Sequence, residues 1–473
     1  MSHPVGMYVI SVTEMWERFS FYIFSSILVL FMFDVLHFSM PYTTFLFGII
    51  IGATYFLQLI AGYISDKYLG NRKAIILGGI FVLIAQIIFT YDASLYYMTA
   101  NVAEHSALLF SYPETVFLIG VVVMAIGASF FKVSVTSFVG LFYPDNEELV
   151  DSAYTIFYML INVGGFLAPL ILHLVVGDGN PALYQYGFLV GVIAIFIGLV
   201  MFIVLKNKYL RLPNGEPLGV VPISKTQKIL DKKSELDVNE KLSKIEIDRL
   251  KVVVLILGII TVFFVAHEQI TTSMLPLAMN YLNNVVPVVN YEFTPQFYLT
   301  LNPLFIIILS PLFIKFLSML SNRNKEPSSI SKLGIGLLFV GISYIMLFIP
   351  FSISGGNSKI SMSWVILFNF FLVVAELFIM PIALSLMSRL APAKYASLMV
   401  GVLFAATAVA EVISGYFASA FPSVVGQSTV LFGIIPIANV ASFMMVFIIL
   451  AFVAAVIWLL FKNHIKKLMH GIT

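Results

Sequence analysis

Glu14, Glu17 and Arg18 place three charges inside a run that is otherwise apolar over about residues 7–33. A run of that length crosses a hydrocarbon core, which needs roughly 20 residues. A charge near the bilayer centre costs at least ~2.5 kcal/mol on insertion scales. On a helix, Glu14 and Glu17 are i, i+3 and Glu14 and Arg18 are i, i+4, so the three can offset one another. The arrangement is either a buried ion pair that fixes helix packing or a working site. Ionisable groups at membrane depth favour the working site. The other deep cation is Lys132, and the other deep acids are Glu268, Glu376 and Glu411. Two cations against five acids is unbalanced if all are ionised. Burial disfavours the charged form of a carboxyl, so some of these acids are expected to bind protons in at least one state. That is the composition of a proton relay. The plainer reading is one or two permanently neutral acids that pack helices, and for Glu411 the two readings stay open. His267, next to Glu268, is either a pH-sensing group or a structural hydrogen-bonder.

These residues need a membrane scaffold, and the composition supplies one. The 473 residues are 60% hydrophobic and 11% charged, with a mean hydropathy of +1.00. Soluble domains carry roughly 25% charged residues. A polytopic membrane protein is expected, with the lipid bilayer as its surroundings. Hydropathy divides the chain into twelve spans at about 7–33, 44–65, 73–91, 115–141, 150–175, 184–205, 251–281, 295–320, 331–351, 361–389, 396–417 and 435–461. The long polar stretch between the sixth and seventh spans holds Pro213, Gly215, Pro217 and many charges. It reads as a linker with a short surface helix near 234–249. The expected domains are a six-helix bundle at 1–205, a cytoplasmic linker at 206–250 and a second six-helix bundle at 251–473. Basic residues concentrate on one side: Lys67, Arg72 and Lys73, the linker, Arg323, Lys325 and Lys332, Arg389 and Lys394, and Lys462, Lys466 and Lys467. The other side has Lys359. The positive-inside rule therefore makes both termini cytoplasmic. The acidic loop at 145–151 lies on the cytoplasmic side but weighs little in this rule. Met1 to Gly6 lacks a basic leader region and a cleavage site, so the first helix is expected to be retained.

Several classes fall away. The net charge of +2 says nothing about partners, and no basic run suggests nucleic acid. The absence of cysteine removes disulfide and thiol chemistry. No histidine spacing suggests a metal, no glycine-rich loop suggests a bound nucleotide, and no nucleophile–base set suggests an enzyme. No cofactor is expected.

Gly62, Asp66, Lys67, Gly70, Arg72 and Lys73 match the loop pattern G-x-x-x-D-R/K-x-x-G-x-R/K-R/K of the major facilitator superfamily, between spans two and three. A tight turn at Gly70 is expected, with Asp66 near Arg72 and Lys73. Four stretches together resemble the proton-coupled oligopeptide transporter (POT) family. They are Glu14-x-x-Glu17-Arg18-Phe19 on the first helix, the loop just described, Phe157-Tyr158-Met-Leu-Ile-Asn162-Val-Gly164-Gly165 on the fifth, and Leu301-Asn302-Pro303 with Ser310-Pro311 on the eighth. Glu268-Gln269, and Glu376 followed by Pro381 and by Leu390-Ala391-Pro392, are weaker matches. The resemblance implies a major facilitator fold and import of di- and tripeptides with protons by alternating access. It implies that Glu14, Glu17, Arg18, Lys132 and Glu268 form the proton-coupling set. It implies that Tyr22, Lys132, Asn162, Asn302 and Glu376 contact substrate, with Glu376 holding the peptide amino terminus. Substrate is expected near the midplane between the bundles. A monomer in a prokaryotic inner membrane is the expected form.

Three departures matter. Many members of the family carry an arginine where this chain has Ser25, and a tyrosine where it has Phe21. That arginine usually partners the seventh-helix acid, so Glu268 is expected to lack its partner. Glu411 stands where a neutral polar residue is commoner. The polar linker has no room for the two extra helices of many bacterial members. Alternatives are a proton-coupled carrier of single amino acids or of a small organic anion, and a non-transporting peptide sensor. Lys132→Ala is expected to abolish proton-driven uptake into vesicles while sparing counterflow; full driven uptake in that variant refutes the coupling role.

Overall fold

The computed structural model describes residues 3–472 apart from 39, 96–111, 144–146, 178–179, 213–214, 221–242, 284, 287–290, 293–299, 357, 392–394 and 423. Twelve helices among the described residues are long and apolar enough to cross a membrane. They are α1 (Val5–Asp34), α2 (Met40–Ile64), α3 (Asn71–Ser94), α4 (Tyr112–Gly140), α5 (Glu147–Val176), α6 (Tyr184–Tyr209), α7 (Lys244–His267), α8 (Leu301–Ser321), α9 (Ser329–Ile353), α10 (Met362–Leu390), α11 (Ala396–Ser419) and α12 (Val440–Leu468). The chain is an all-α membrane protein. It divides into two compact units, Met1–Glu240 with Ala391–Ala405, and Lys241–Leu390 with Ala406–Thr473.

In the N-terminal unit, α1 packs against α5 and α6, and α3 packs against α4 and α6. An aromatic layer joins them: the Phe89 ring stacks on Phe24 at 4.9 Å and on Phe188 at 5.4 Å. In the C-terminal unit, α9 packs between α10 and α12. The Trp458 indole donates to the Ile330 carbonyl at 2.7 Å. The most enclosed helices are α1, with 61% of its apolar window buried, and α10, with 72%. They are also the helices that carry Glu14, Glu17, Arg18 and Glu376, so the charges sit where lipid is excluded.

Three expectations need correction. The seventh span is not continuous to 281. Regular helix stops at His267, a tighter turn covers Glu268–Ile270, and a short helix resumes at Met274–Asn280. Pro276 lies in the first turn of that short helix, where its missing N–H costs nothing. The Glu268 carbonyl closes the turn, accepting from the Thr271 and Thr272 N–H groups at 3.2 and 3.3 Å and from both hydroxyls at 3.0 Å. The expected surface helix before the seventh span is, over 244–249, the first turn of α7 itself. Ser243 and Glu246 cap it reciprocally, at 3.2 and 2.8 Å; residues 234–242 lie outside the described residues. The twelfth span starts later than 435. Residues Ile435–Ile437 pair with Thr429–Leu431 as a short hairpin, and Asn439 caps α12. Pro303 lies in the first turn of α8, where a missing N–H costs nothing.

The loop after α2 tightens into a single π turn, Ser65–Leu69, closed by Gly70 N–H on the Ser65 carbonyl at 2.8 Å. Gly70 then adopts φ 76°, a conformation that glycine reaches without strain. Asp66 does not pair with Arg72 or Lys73. It accepts from the Ser397 and Leu398 N–H groups at 3.2 and 2.8 Å, capping the start of α11 within the N-terminal unit. Arg72 turns the other way. Its guanidinium donates to the Leu218 carbonyl at 2.6 Å, to Asn207 Oδ1 at 3.2 Å and to the Leu210 carbonyl. It thus pins the stretch that follows α6. Arg72→Ala strands the Leu218 carbonyl, at a cost of about 1–3 kcal/mol, and leaves the Leu210 carbonyl with only the Leu218 N–H. Thermal unfolding of the purified protein is expected to fall by several degrees, with Arg72→Lys recovering part of the loss.

Candidate functional site

Each unit carries its own cluster of polar groups. In the N-terminal unit, Glu14 and Glu17 are fully buried and Arg18 is 4% exposed. Arg18 grips Glu17 with two parallel bonds, Nε to Oε2 at 2.6 Å and Nη2 to Oε1 at 2.8 Å. This is the strongest geometry open to a carboxylate and a guanidinium. Glu14 Oε1 stands 3.4 Å from the same Nε, but neither Glu14 oxygen has a hydrogen-bond partner. The far side of the guanidinium lies over the Phe21 ring at 4.6 Å, a favourable cation–π contact. The residue that departs from the resembled pattern thus supplies an apolar lid to the charge.

The signature of α5 packs directly on the signature of α1. A Cβ at Gly164 would collide with the Met15 carbonyl and come within 3.0 Å of the Phe19 N–H; one at Gly165 would meet the Tyr22 ring at 2.9 Å. Only glycine lets the α5 backbone lie this close to the turn that carries Glu17 and Arg18. Two turns of sequence that looked like separate motifs are one physical contact. Tyr22 sits at its edge. Asn162, one turn earlier on α5, is half-buried and donates to the Tyr158 carbonyl at 2.9 Å. Ser25 stays on its own helix, donating to the Tyr22 carbonyl at 3.3 Å.

Lys132 is not ion-paired: among the described residues no carboxylate oxygen lies within the 4.0 Å of a salt bridge. Its ammonium is held by two rings, at 4.9 Å from the Tyr55 centroid and 4.4 Å from that of Phe404. Arg18, Glu14 and Glu17 remain within electrostatic reach. Phe404 escaped the sequence reading, since nothing in an apolar eleventh helix singles out one phenylalanine. Gln86 escaped it too. It donates to the Ser20 carbonyl and hydroxyl at 2.8 and 2.9 Å and ties α3 to the cluster helix. Asp92, one residue past the expected end of the third span, is 1% exposed and joins neither cluster.

The C-terminal unit gathers Glu268, Glu376 and Asn302 around His267. The imidazole Nδ1 is 3.1 Å from Glu268 Oε1 and its Nε2 is 3.2 Å from Glu376 Oε2. Asn302 Nδ2 donates to the same Glu376 oxygen at 2.9 Å. Glu268 therefore has a partner, contrary to the expectation drawn from Ser25, and it comes from the neighbouring residue. Glu411, on α11, is close enough to act electrostatically on Glu268 and His267. Gln269 faces away from the cluster and bonds Ser414 Oγ at 2.9 Å, anchoring the end of α7 to α11. The cluster can hold a cation, a proton or an ammonium group, at a spot where the α10 acid is almost wholly buried. Arg18→Lys replaces a two-point grip by one, since an ammonium lacks the planar fork. It is expected to lower the unfolding temperature and cost about 3 kcal/mol, the scale of damaging a buried pair, as read by thermal unfolding.

The comparisons with known proteins agree with this layout. The Major Facilitator Superfamily family model matches residues 12–415. The uncharacterized transporter YclF of Bacillus subtilis is 26% identical, over 99% of this chain and 96% of its own. Dipeptide and tripeptide permease A of Chromobacterium violaceum is 26% identical, over 88% of this chain and 85% of its own. Among solved structures, the peptide transporter POT in complex with sulfate superposes with a TM-score of 0.68 at 24% identity, covering 100% of this chain and 97% of its own. The fold is that of these transporters, with two bundles of six spanning helices. The chain belongs to the Major Facilitator Superfamily.

Proposed function

We propose that this chain is a proton-coupled symporter of the POT family that imports di- and tripeptides by alternating access. The observation that carries the reading is the contact between the α1 and α5 signatures, where Gly164 and Gly165 let the helix that carries Asn162 lie against Met15, Phe19 and Tyr22 of the helix that holds Glu14, Glu17 and Arg18. Relatives named as di- and tripeptide permeases and transporters support it. In this reading Glu14, Glu17, Arg18, Lys132 and Glu268 couple transport to the proton gradient. Glu14 takes the proton in the N-terminal unit, because Glu17 is already saturated by Arg18 and an ionised, unbonded buried carboxylate is costly. Neutral Glu14 releases its hold on Arg18 and Lys132, which changes the balance of the cluster. Tyr22, Lys132, Asn162, Asn302 and Glu376 contact substrate, with Glu376 accepting the peptide ammonium. The protein works as a monomer in the inner membrane with both termini cytoplasmic, and its two functional bundles are residues 1–205 and 251–473, joined by the linker at 206–250.

A second reading has one observation in its favour. Ser25 contributes no charge to α1, so a single amino acid or small organic anion that needs fewer anchors than a peptide is the competing substrate. A third, a sensor, binds peptide without accumulating it. Uptake of labelled dialanine into proteoliposomes under an inside-alkaline, inside-negative gradient separates them. Accumulation that a protonophore abolishes is the expected result. Binding without accumulation indicates the sensor, and neither binding nor accumulation moves the assignment to another substrate.

A further inference from the structure

We propose that His267 is a protonated counter-ion that occupies the ammonium position at Glu376 until substrate displaces it. The inference rests on the peptide reading for the identity of the displacing ammonium, and on geometry for the rest. Both ring nitrogens lie within hydrogen-bond distance of a carboxylate oxygen, at 3.1 Å and 3.2 Å. An ionised carboxylate only accepts, and a neutral imidazole has one N–H to give. Two such contacts therefore require one proton more than a neutral histidine and two carboxylates hold. The imidazolium form satisfies both contacts at once and alternates charge along the row Glu268, His267, Glu376. Asn302 Nδ2 is also 3.4 Å from His267 Nε2. Its shorter bond, at 2.9 Å, goes to Glu376; the 3.4 Å contact is near the limit of a hydrogen bond, and Glu376 Oε2 is the nearer partner of Nε2 at 3.2 Å.

The surroundings favour the cation. His267 is the last residue of α7, where the unpaired carbonyls of a helix end attract positive charge. The groups that face it are Glu268 on its own turn, Glu376 from α10, Asn302 from α8 and Glu411 from α11. The Tyr344 hydroxyl of α9 is engaged elsewhere, on the Ala266 carbonyl at 2.6 Å. The rings of Phe263 and Phe264 flank the imidazole at 5.2 and 5.8 Å. The imidazole side chain is 16% exposed and Glu376 is 3% exposed, so the bridge is nearly dry yet open enough for exchange.

Glu376 Oε2 already accepts from Asn302 and His267. An incoming ammonium needs the same oxygen and replaces the imidazolium Nε2–H as its donor. His267 then loses the Nε2 proton to water and keeps its Nδ1–H on Glu268. The cluster holds one net negative charge before the exchange and one after it. Substrate binding at this spot is thus a swap of one cation for another, which avoids leaving Glu376 as a lone buried charge at any stage. His267 is a positioning residue in the bound state and a substrate mimic in the free state.

The test is nitrogen NMR on the purified full-length protein, labelled at its seven histidines, near neutral pH in lipid nanodiscs. A resonance pair with the imidazolium signature is expected that is absent in His267→Asn; His470, 3.0 Å from Asp248, gives its own signal, which that variant leaves in place. Should that variant fail to fold, Glu376→Gln identifies the same pair by moving it alone. Saturating dialanine is expected to convert the pair to a neutral imidazole, while N-acetylated dialanine, which has no ammonium, leaves it unchanged. A neutral His267 without ligand overturns the inference and leaves the peptide reading intact. An imidazolium that persists while dialanine raises the unfolding temperature also overturns it. If dialanine neither shifts unfolding nor accumulates in vesicles, the peptide reading fails instead. The unliganded spectrum alone then decides, imidazolium upholding the bridge and neutral imidazole ending it.

Discussion

One buried guanidinium sets the terms for the N-terminal unit. Arg18 has no water to solvate it and takes its compensation from Glu17, Glu14 and the Phe21 face. A buried pair of this kind is stable only when its geometry is good and its lone pairs are met. Glu17 meets that condition and Glu14 does not. The two carboxylates are therefore not equivalent. Two carboxylates share one strong cation, so the state of the second carboxylate depends on a proton or on Lys132.

The packing around the cluster follows from that need. Water must be kept away, and the α5 backbone does this by lying on α1 at Gly164 and Gly165. Gln86 and Ser20 close another side. The aromatic pair Tyr55 and Phe404 gives Lys132 a resting place that is attractive without being a salt bridge, worth about 0.5–2 kcal/mol. A lysine held that weakly can respond to a change in charge at Glu14, whereas one locked to a carboxylate would not.

The C-terminal unit solves a different problem. Its cluster gathers three acids, Glu268, Glu376 and Glu411, around one imidazole. Histidine is the one side chain that can supply a positive charge there and withdraw it near neutral pH. It sits at the broken end of α7, where the tight turn over Glu268–Ile270 keeps Glu268 beside the imidazole. The break, the histidine and the α10 acid therefore form one device.

Much of this was legible from residue types and spacing. Twelve apolar runs determined twelve helices, because a backbone in hydrocarbon must satisfy its own hydrogen bonds and a helix does so locally. Glu14, Glu17 and Arg18 announced their cluster because their spacing matches the helical period. What spacing could not show was the choice among partners far apart in the chain. Lys132 rests on Tyr55 and Phe404 rather than on a carboxylate, Asp66 caps α11 rather than pairing with Arg72, and Glu268 finds His267 rather than nothing. Local patterns are written in the order of residues and can be read there. Partner choice depends on which helix faces approach one another, and only the packed structure decides that.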